Sequence, residues 1–558
     1  MLFEFVEMVC RTVGSPRPRR IDVDLDVNAS ASFRRGIWSM LGNDLVLTIG
    51  MPLAAGMTTR QFGGILAHEF GHFTQGLGMR LSYVIRAISI WFARVAYERD
   101  SWDEWLEAHS RDGDGWIVLL ANLGRGGVWL GRLVLRGLTY VGHAVAGVML
   151  RQMEYDADLH EIRFGGSPSF AATSRRLTLL NVASNGAYSD LNDFYRDGRL
   201  VDDMPKLVMA NVETMPEEVR KQIAKVTAEA RTGWYDTHPC DNDRIAFAEK
   251  QNAPGVFADD GPASDLFANF STLCKSATWN LYKQVFNGKV KSEEVHSADT
   301  LLAGQKTEQA YADALDRYFA GGFRVTKPME LPWQVPDPCA DVKAAVLKLG
   351  ELRAVMLEER GTKPSADYEP TEAFLLAAQE RIAMGLALLR TDAAAARLPE
   401  AEPYRDELRK TYSACRVAQR ELPKTLEIAE IFGRMCDDLG KFSATQDEGA
   451  RARVIDHMKH LERMLSTQIQ TLKDEPYPLG HNDGEISLAR FLSKAVLVHD
   501  DLGSLHEVTS SYLDNYGPLC IRLVGRLAFF AEAAEKAFGM PPLEKPADKP
   551  VDEIAAAR

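Results

Sequence analysis

Residues 68–72 read His68-Glu69-Phe70-Gly71-His72, inside the run GGILAHEFGHFTQG. On a helix, residues four apart share a face, so His68 and His72 could grip one metal ion with Glu69 beside it. A carboxylate in that place can take a proton from an attacking water. The chemistry implied is metal-assisted hydrolysis, zinc-dependent peptide cleavage first. Gly63, Gly64, Ile65, Leu66 and Ala67 lead in and make the helix apolar and buried. Two buried histidines and a glutamate without partners would be costly, and metal ligation removes that cost. Gly71 is a poor helix former, by about 1 kcal/mol against alanine, and is expected to leave room for substrate near the metal.

Catalytic zinc usually takes three protein ligands and keeps one open position. The best third ligand lies in RQMEYDADLHEIRFGG, residues 151–166, where Glu154 and Asp158 share a helical face. One of the two could bind the metal while the other orients a ligating histidine. An ordinary acidic helix surface is the competing reading, since Asp156 and Glu161 are acidic too, and spacing does not choose between them. A third element follows at DTHPCDNDRI, residues 236–245, where His238 and Pro239 begin a turn and an acid-rich helix start follows. His238 is then structural, an oxyanion donor, or a latent fourth ligand.

Together these elements resemble the HtpX-like and CAAX prenyl protease zinc metallopeptidases, the forty-eighth metallopeptidase family, of gluzincin type. The shared order is H-E-x-x-H, then E-x-x-x-D, then a His-Pro turn followed by arginine: here His68 to His72, Glu154 to Asp158, and His238 with Arg244. Upstream, VEMVCRTVGSPRPRRIDVDLDVNASASF and NDLVLTIGMPLAAGMTTRQFGGILAHEFGH resemble the family's short strands, Asn28-Ala29 turn and pre-helix. The resemblance covers about residues 1–250. It implies one Zn2+ per chain on His68, His72 and Glu154, with Glu69 as general base and later proton donor. It implies that Asp158 and Arg244 support these ligands and that His238 has a transition-state or regulatory role. The strand beginning at Asn28 and Ala29 would be an edge that pairs with an extended substrate backbone. The chain differs from the family in its long gap between His72 and Glu154. It also lacks the usual transmembrane segment ahead of the catalytic domain and starts at the domain's first helix, as a truncated N terminus would.

The long gap is apolar. Residues 81–97, LSYVIRAISIWFARVAY, carry Arg86 and Arg94, and residues 116–150 carry Arg125, Arg132 and Arg136. The uncharged stretch 137–150 has 14 residues, short of a bilayer span of about 20. An arginine at mid-membrane costs about 2.5–3.5 kcal/mol. These terms favour a pair of buried or membrane-surface helices, whereas the resemblance implies a membrane hairpin with both metal motifs on one side. The acidic loop ERDSWDEWLEAHSRDGDG between them suits the non-cytoplasmic side. The expectation is association with a bacterial inner membrane, active site cytoplasmic, with a soluble cytoplasmic protein as the alternative.

A net charge of −13 argues against nucleic acid as a partner. Seven scattered cysteines form no framework and suit a reducing compartment. The expected fold class is α+β, predominantly α: a zincin-like domain with a small edge sheet, then an α-helical domain. The expected divisions are a peptidase domain at 1–255 with an apolar insert at 81–150, a helical extension and proline-rich linker at 256–338, a helical domain at 339–540 and a disordered tail at 541–558. VKAAVLKLGELRAVMLEER, TEAFLLAAQERIAMGLALLR and ARVIDHMKHLERMLSTQIQTL have apolar residues at three and four. His457 and His460 read as a solvated helix face, and PYPLGHNDGEISL as a loop without functional reading. The expected activity is endopeptidase cleavage of unfolded or membrane-associated polypeptides in protein quality control. The helical half would select substrate, bind a protein partner or shield the site. The alternatives are a latent client-binding or scaffold protein and a soluble aminopeptidase.

Overall fold

The computed structural model describes residues 1–33, 45–74, 94, 115–233, 236, 238–326, 329–332, 334–361, 368–445, 447–494 and 496–545. The apolar run 81–97 (Arg94 apart), its following acidic loop and the end of the tail lie outside the described residues. The chain divides into two compact units, Met1–Asp190 with Asp202–Val290, and Leu191–Val201 with Lys291–Arg558. The fold is α+β and mostly helical, with a small three-stranded sheet in the first unit. The expected boundary at 255 falls inside that unit.

The first unit opens with α1 (Leu2–Val13), β1 (Arg20–Asp24), β2 (Ala29–Phe33) and β3 (Leu45–Gly50). The strand order is β1-β3-β2, with β1 parallel and β2 antiparallel to β3. β3 reads LVLTIG and is buried along nearly its whole length, as a strand covered on both faces must be. β2 is therefore an edge among the described residues. After the short α2 (Met51–Gly56) comes α3 (Thr59–Thr74). A reciprocal cap starts it: Gln61 N–H donates to Thr58 Oγ1 (3.3 Å) and Thr58 N–H donates to Gln61 Oε1 (3.1 Å).

α3 packs on α4 (Gly115–Gly165), a single helix that includes both the apolar stretch from 116 and the Glu154–Asp158 pair. The helix expected over 116–150 runs on without a break into the one that carries Glu154 and Asp158, and no proline interrupts residues 115–165. Close approach of α3 to α4 depends on glycine. A Cβ on Gly63 would sit 2.4 Å from the Phe164 ring, and one on Gly64 3.1 Å from Glu161 Cγ. α4 ends where Gly166, at φ +93°, returns its N–H to the Ile162 carbonyl. α5 (Ser167–Arg196), α6 (Met204–Thr214), α7 (Glu217–Glu229), α8 (Asp241–Gln251) and α9 (Phe270–Val285) follow. No helix among the described residues is long and apolar enough to cross a membrane.

The second unit pairs β4 (Leu200–Val201) with β5 (Val295–His296) in parallel, then builds on helices. These are α10 (Ala298–Phe319), α11 (Val342–Arg360), α12 (Glu372–Leu389), α13 (Ala401–Thr445), α14 (Glu448–Leu472), α15 (Leu488–Ser493) and α16 (Leu502–Ala537). Its core holds a fully buried ion pair. Arg381 donates to both Glu535 oxygens, at 2.8 and 2.6 Å, and Tyr318 and Arg353 donate to the same carboxylate. The loop without functional reading is structural. Tyr477 donates to Asp197, and Asn482 Oδ1 lies 2.8 Å from His296 Nε2. His457 stands 3.6 Å from Asp438, and the proline-rich linker is non-helical where described.

Candidate active site

α3 supplies His68, Glu69 and His72, and α4 sets Glu154 and Asp158 against them. The two imidazole rings lie 4.9 Å apart, centroid to centroid, and perpendicular. One ligand atom each from His68, His72 and Glu154 falls within 4.8 Å of the others. His68 Nε2 is 3.5 Å from Glu154 Oε2, and its Nδ1 is 3.1 Å from Asp158 Oδ1. That second contact is at ion-pair distance but off the line of a full hydrogen bond. Arg244, on the first turn of α8, clamps Asp158 from behind, Nε donating to Oδ2 (3.0 Å) and Nη2 to Oδ1 (2.5 Å). His238, exposed in the turn before α8, brings Nδ1 to 2.9 Å from Glu154 Oε1.

The electrostatics follow from these contacts. Burial alone would lift the Glu154 carboxyl, but the imidazoles of His68, His72 and His238 hold it down at about 2. Asp158 is lowered in the same way, burial being outweighed by His68 and Arg244. Burial would depress His68, yet Asp158 and Glu154 raise it to about 10. Half-buried Glu69 is pushed upward by burial, the change a general base working near neutrality needs. It accepts a hydrogen bond from the Ala31 N–H of β2, so the would-be base stands at the sheet edge.

Two imidazoles and an ionised carboxylate converging from two helices are the donor set of catalytic zinc. His68 fits best, with one ring nitrogen toward Glu154 and the other toward the Asp158–Arg244 pair, which would fix its tautomer. His68, Asp158 and Glu161 also come together, but Arg244 already occupies both Asp158 oxygens. Glu462, His499 and Asp500 form a further group, with both His499 and Asp500 exposed.

The fold and these residues define a metallopeptidase of the H-E-x-x-H kind. Residues 2–252 match the model of peptidase family M48, and this part of the chain belongs to that family. Its members are zinc-dependent peptidases. No curated protein and no solved structure matches the chain.

Two expectations change in detail. Gly71 makes room for protein and not for substrate: a Cβ there would lie 2.9 Å from the His160 ring of α4. Asn28 and Ala29 do begin the edge strand, but the Asn28 carbonyl accepts the Gly50 N–H and Ala29 is buried. The edge backbone nearest the site is instead at Ala31. The sequence reading counted Glu161 only towards a plain acidic surface, yet it is 6% exposed beside the site. Its spacing was a usable signal, since Glu154, Asp158 and Glu161 fall four and then three apart on one helical face.

Proposed function

We propose that the chain is a zinc metalloendopeptidase that cleaves unfolded or membrane-associated polypeptides. The observation that carries this reading is the convergence of His68, His72 and Glu154 within 4.8 Å. Glu69, the next residue of the same helix, would then act beside them. Zinc, when bound by these three residues, supplies a Lewis acid that acidifies water and polarises a carbonyl. Glu69 takes the proton of the attacking water and passes it to the departing amine. Asp158 and Arg244 hold His68 in place. His238, exposed beside Glu154, can donate to the oxyanion. β2 offers an edge for an extended substrate, the geometry that favours cleavage within a chain.

Membrane association is part of the proposal. Trp129, Leu130, Leu133, Val134, Leu138 and Tyr140 are exposed on α4, Trp129 at 65%. No acidic residue occurs between Gly115 and Met153, so arginines alone carry charge there. Such a segment suits the surface of an anionic bilayer.

Casein cleavage and zinc content, compared in the wild type and Glu69→Gln, test the mechanism. The variant is expected to keep zinc and lose turnover by about 10²–10⁴-fold. Undiminished cleavage by the variant would sink the mechanism. An inert wild type would favour a latent protein in which His238 keeps its hold on Glu154.

A further inference from the structure

A cavity of about 650 Å³ adjoins the site, and its walls are unlike an ordinary apolar specificity pocket. One wall is residues 25–28, the connection that runs directly into the edge strand β2. It is held tightly: Gly50 N–H donates to the Asn28 carbonyl, and a Cβ on Gly50 would meet the Asp26 carbonyl oxygen at 1.7 Å. A second wall is a face of α5 rich in hydroxyls and amides, including Thr173, Ser174, Asn181, Ser184, Asn185 and Tyr188. Glu161, Asp241 and Arg244 complete the lining; Glu161 comes within 4.8 Å of a His68 ring nitrogen, and Arg244 holds Asp158.

The charge of this lining is one-sided. Asp26 and Asp241 bring carboxylates and Glu161 a buried carboxyl, while the guanidinium of Arg244 is taken up by both oxygens of Asp158. Glu161 is 6% exposed; its carboxyl comes within 4.8 Å of ligand atoms of His68 and Asp158, yet no hydrogen bond or ion pair reaches it among the described residues. A buried carboxyl without a partner is costly unless something supplies one. The Ser174 hydroxyl is likewise buried without a partner there. Both leave hydrogen-bonding capacity at the cavity wall.

We infer that this cavity is a substrate side-chain pocket that selects lysine or arginine. The inference rests on the peptidase reading above. Glu69 meets the edge strand at Ala31, and the pocket begins three residues earlier, about 10 Å along a strand. A substrate added antiparallel to β2 therefore sets its cationic residue on the C-terminal side of the cleaved bond, within the first few residues. The stem of the long side chain fills the cavity between Leu25 and Leu177, and its head donates to Glu161 and its neighbours.

The test separates the pocket from the chemistry. Fluorescent peptides that differ only in bearing lysine, leucine or glutamate at these positions are titrated onto the zinc-loaded Glu69→Gln protein. In parallel, wild-type cleavage of a mixed peptide library is mapped by mass spectrometry. The lysine peptide is expected to bind about tenfold tighter than the leucine peptide, a typical effect of a hydrogen bond to a charged group. Wild-type cleavage should be enriched for lysine or arginine after the cut. Asp26→Lys, on the exposed connection, should shift the preference towards the glutamate peptide, a gain that misfolding cannot mimic. Equal binding of the three peptides, or a lysine preference untouched by Asp26→Lys, overturns the pocket. A preserved binding preference without wild-type cleavage overturns the peptidase reading and leaves the pocket standing.

Discussion

At the residue scale, the ligand set was readable because its members are local. His68 and His72 are one turn apart, Glu154 and Asp158 another turn, and helical periodicity alone puts each pair on a face. That the pairs face one another is a tertiary fact, and spacing left Glu154 undecided against a plain acidic surface until the resemblance was used. Arg244 could be named from its place after the His-Pro turn, but not its bidentate grip on Asp158. That grip has a measurable consequence. Asp158→Asn keeps the shape yet removes the charge that holds Arg244 on one side and His68 on the other. Zinc affinity should fall by about 10–100-fold, the usual cost of losing such support, with the ligands themselves unchanged. Competition with a chelating indicator measures it. Wild-type affinity in the variant would mean that Asp158 serves packing alone.

At the element scale, what the sequence hid was the closeness of helices. Gly63, Gly64 and Gly71 look like weak points in α3, and Gly71 was read as space for substrate. In the fold they are where α4 touches, so the cost in helix propensity is exchanged for contact. Gly63→Ala should gain about 1 kcal/mol in propensity and lose more to the overlap with Phe164 and Phe5, for a net destabilisation of about 1–2 kcal/mol. Urea unfolding that shows a more stable variant would refute the packing account. The second unit offers a charge test on α10 and α16. Burial would raise the Glu308 carboxyl, but Arg522 and Arg526 outweigh it and leave it below its ordinary 4.5. A depressed carboxyl adds stability that is complete above 4.5 and is lost as pH falls below that value. Glu308→Gln should therefore narrow its deficit against wild type between pH 5 and pH 3, read from urea midpoints. A deficit constant across that range would mean that the contact is not ionic.

At the scale of the whole molecule, composition and helical periodicity were enough for the class of fold, and the apolar patterns of α11, α12 and α14 mark helices directly. The path of the chain between units was not legible, because it depends on contacts between distant residues that no local pattern encodes. The family match ends at 252, the first unit continues to Val290, and residues 191–201 leave it to join the second unit. That short excursion brings β4 to β5 and places Asp197 against Arg522, which donates to both its oxygens at 3.1 and 3.0 Å, and against the Tyr477 hydroxyl. Asp197 is buried, so removing it takes the acceptor from the Tyr477 phenol and one of two carboxylates from Arg522, which keeps only Glu308. A fragment 291–558 thus begins with a defect although it holds every helix from α10 to α16. Loss of such a partner costs about 2–4 kcal/mol, roughly 5–15 °C in melting temperature for a unit of this size. The comparison is between 291–558 alone and the same fragment preceded by residues 191–201 on a flexible Gly-Ser linker. The linked form should melt higher, and changing its Asp197 to Ala should return it to the temperature of the bare fragment. Identical melting of all three would show that the second unit holds together without the borrowed segment, and that the excursion through residues 191–201 is only a route for the chain.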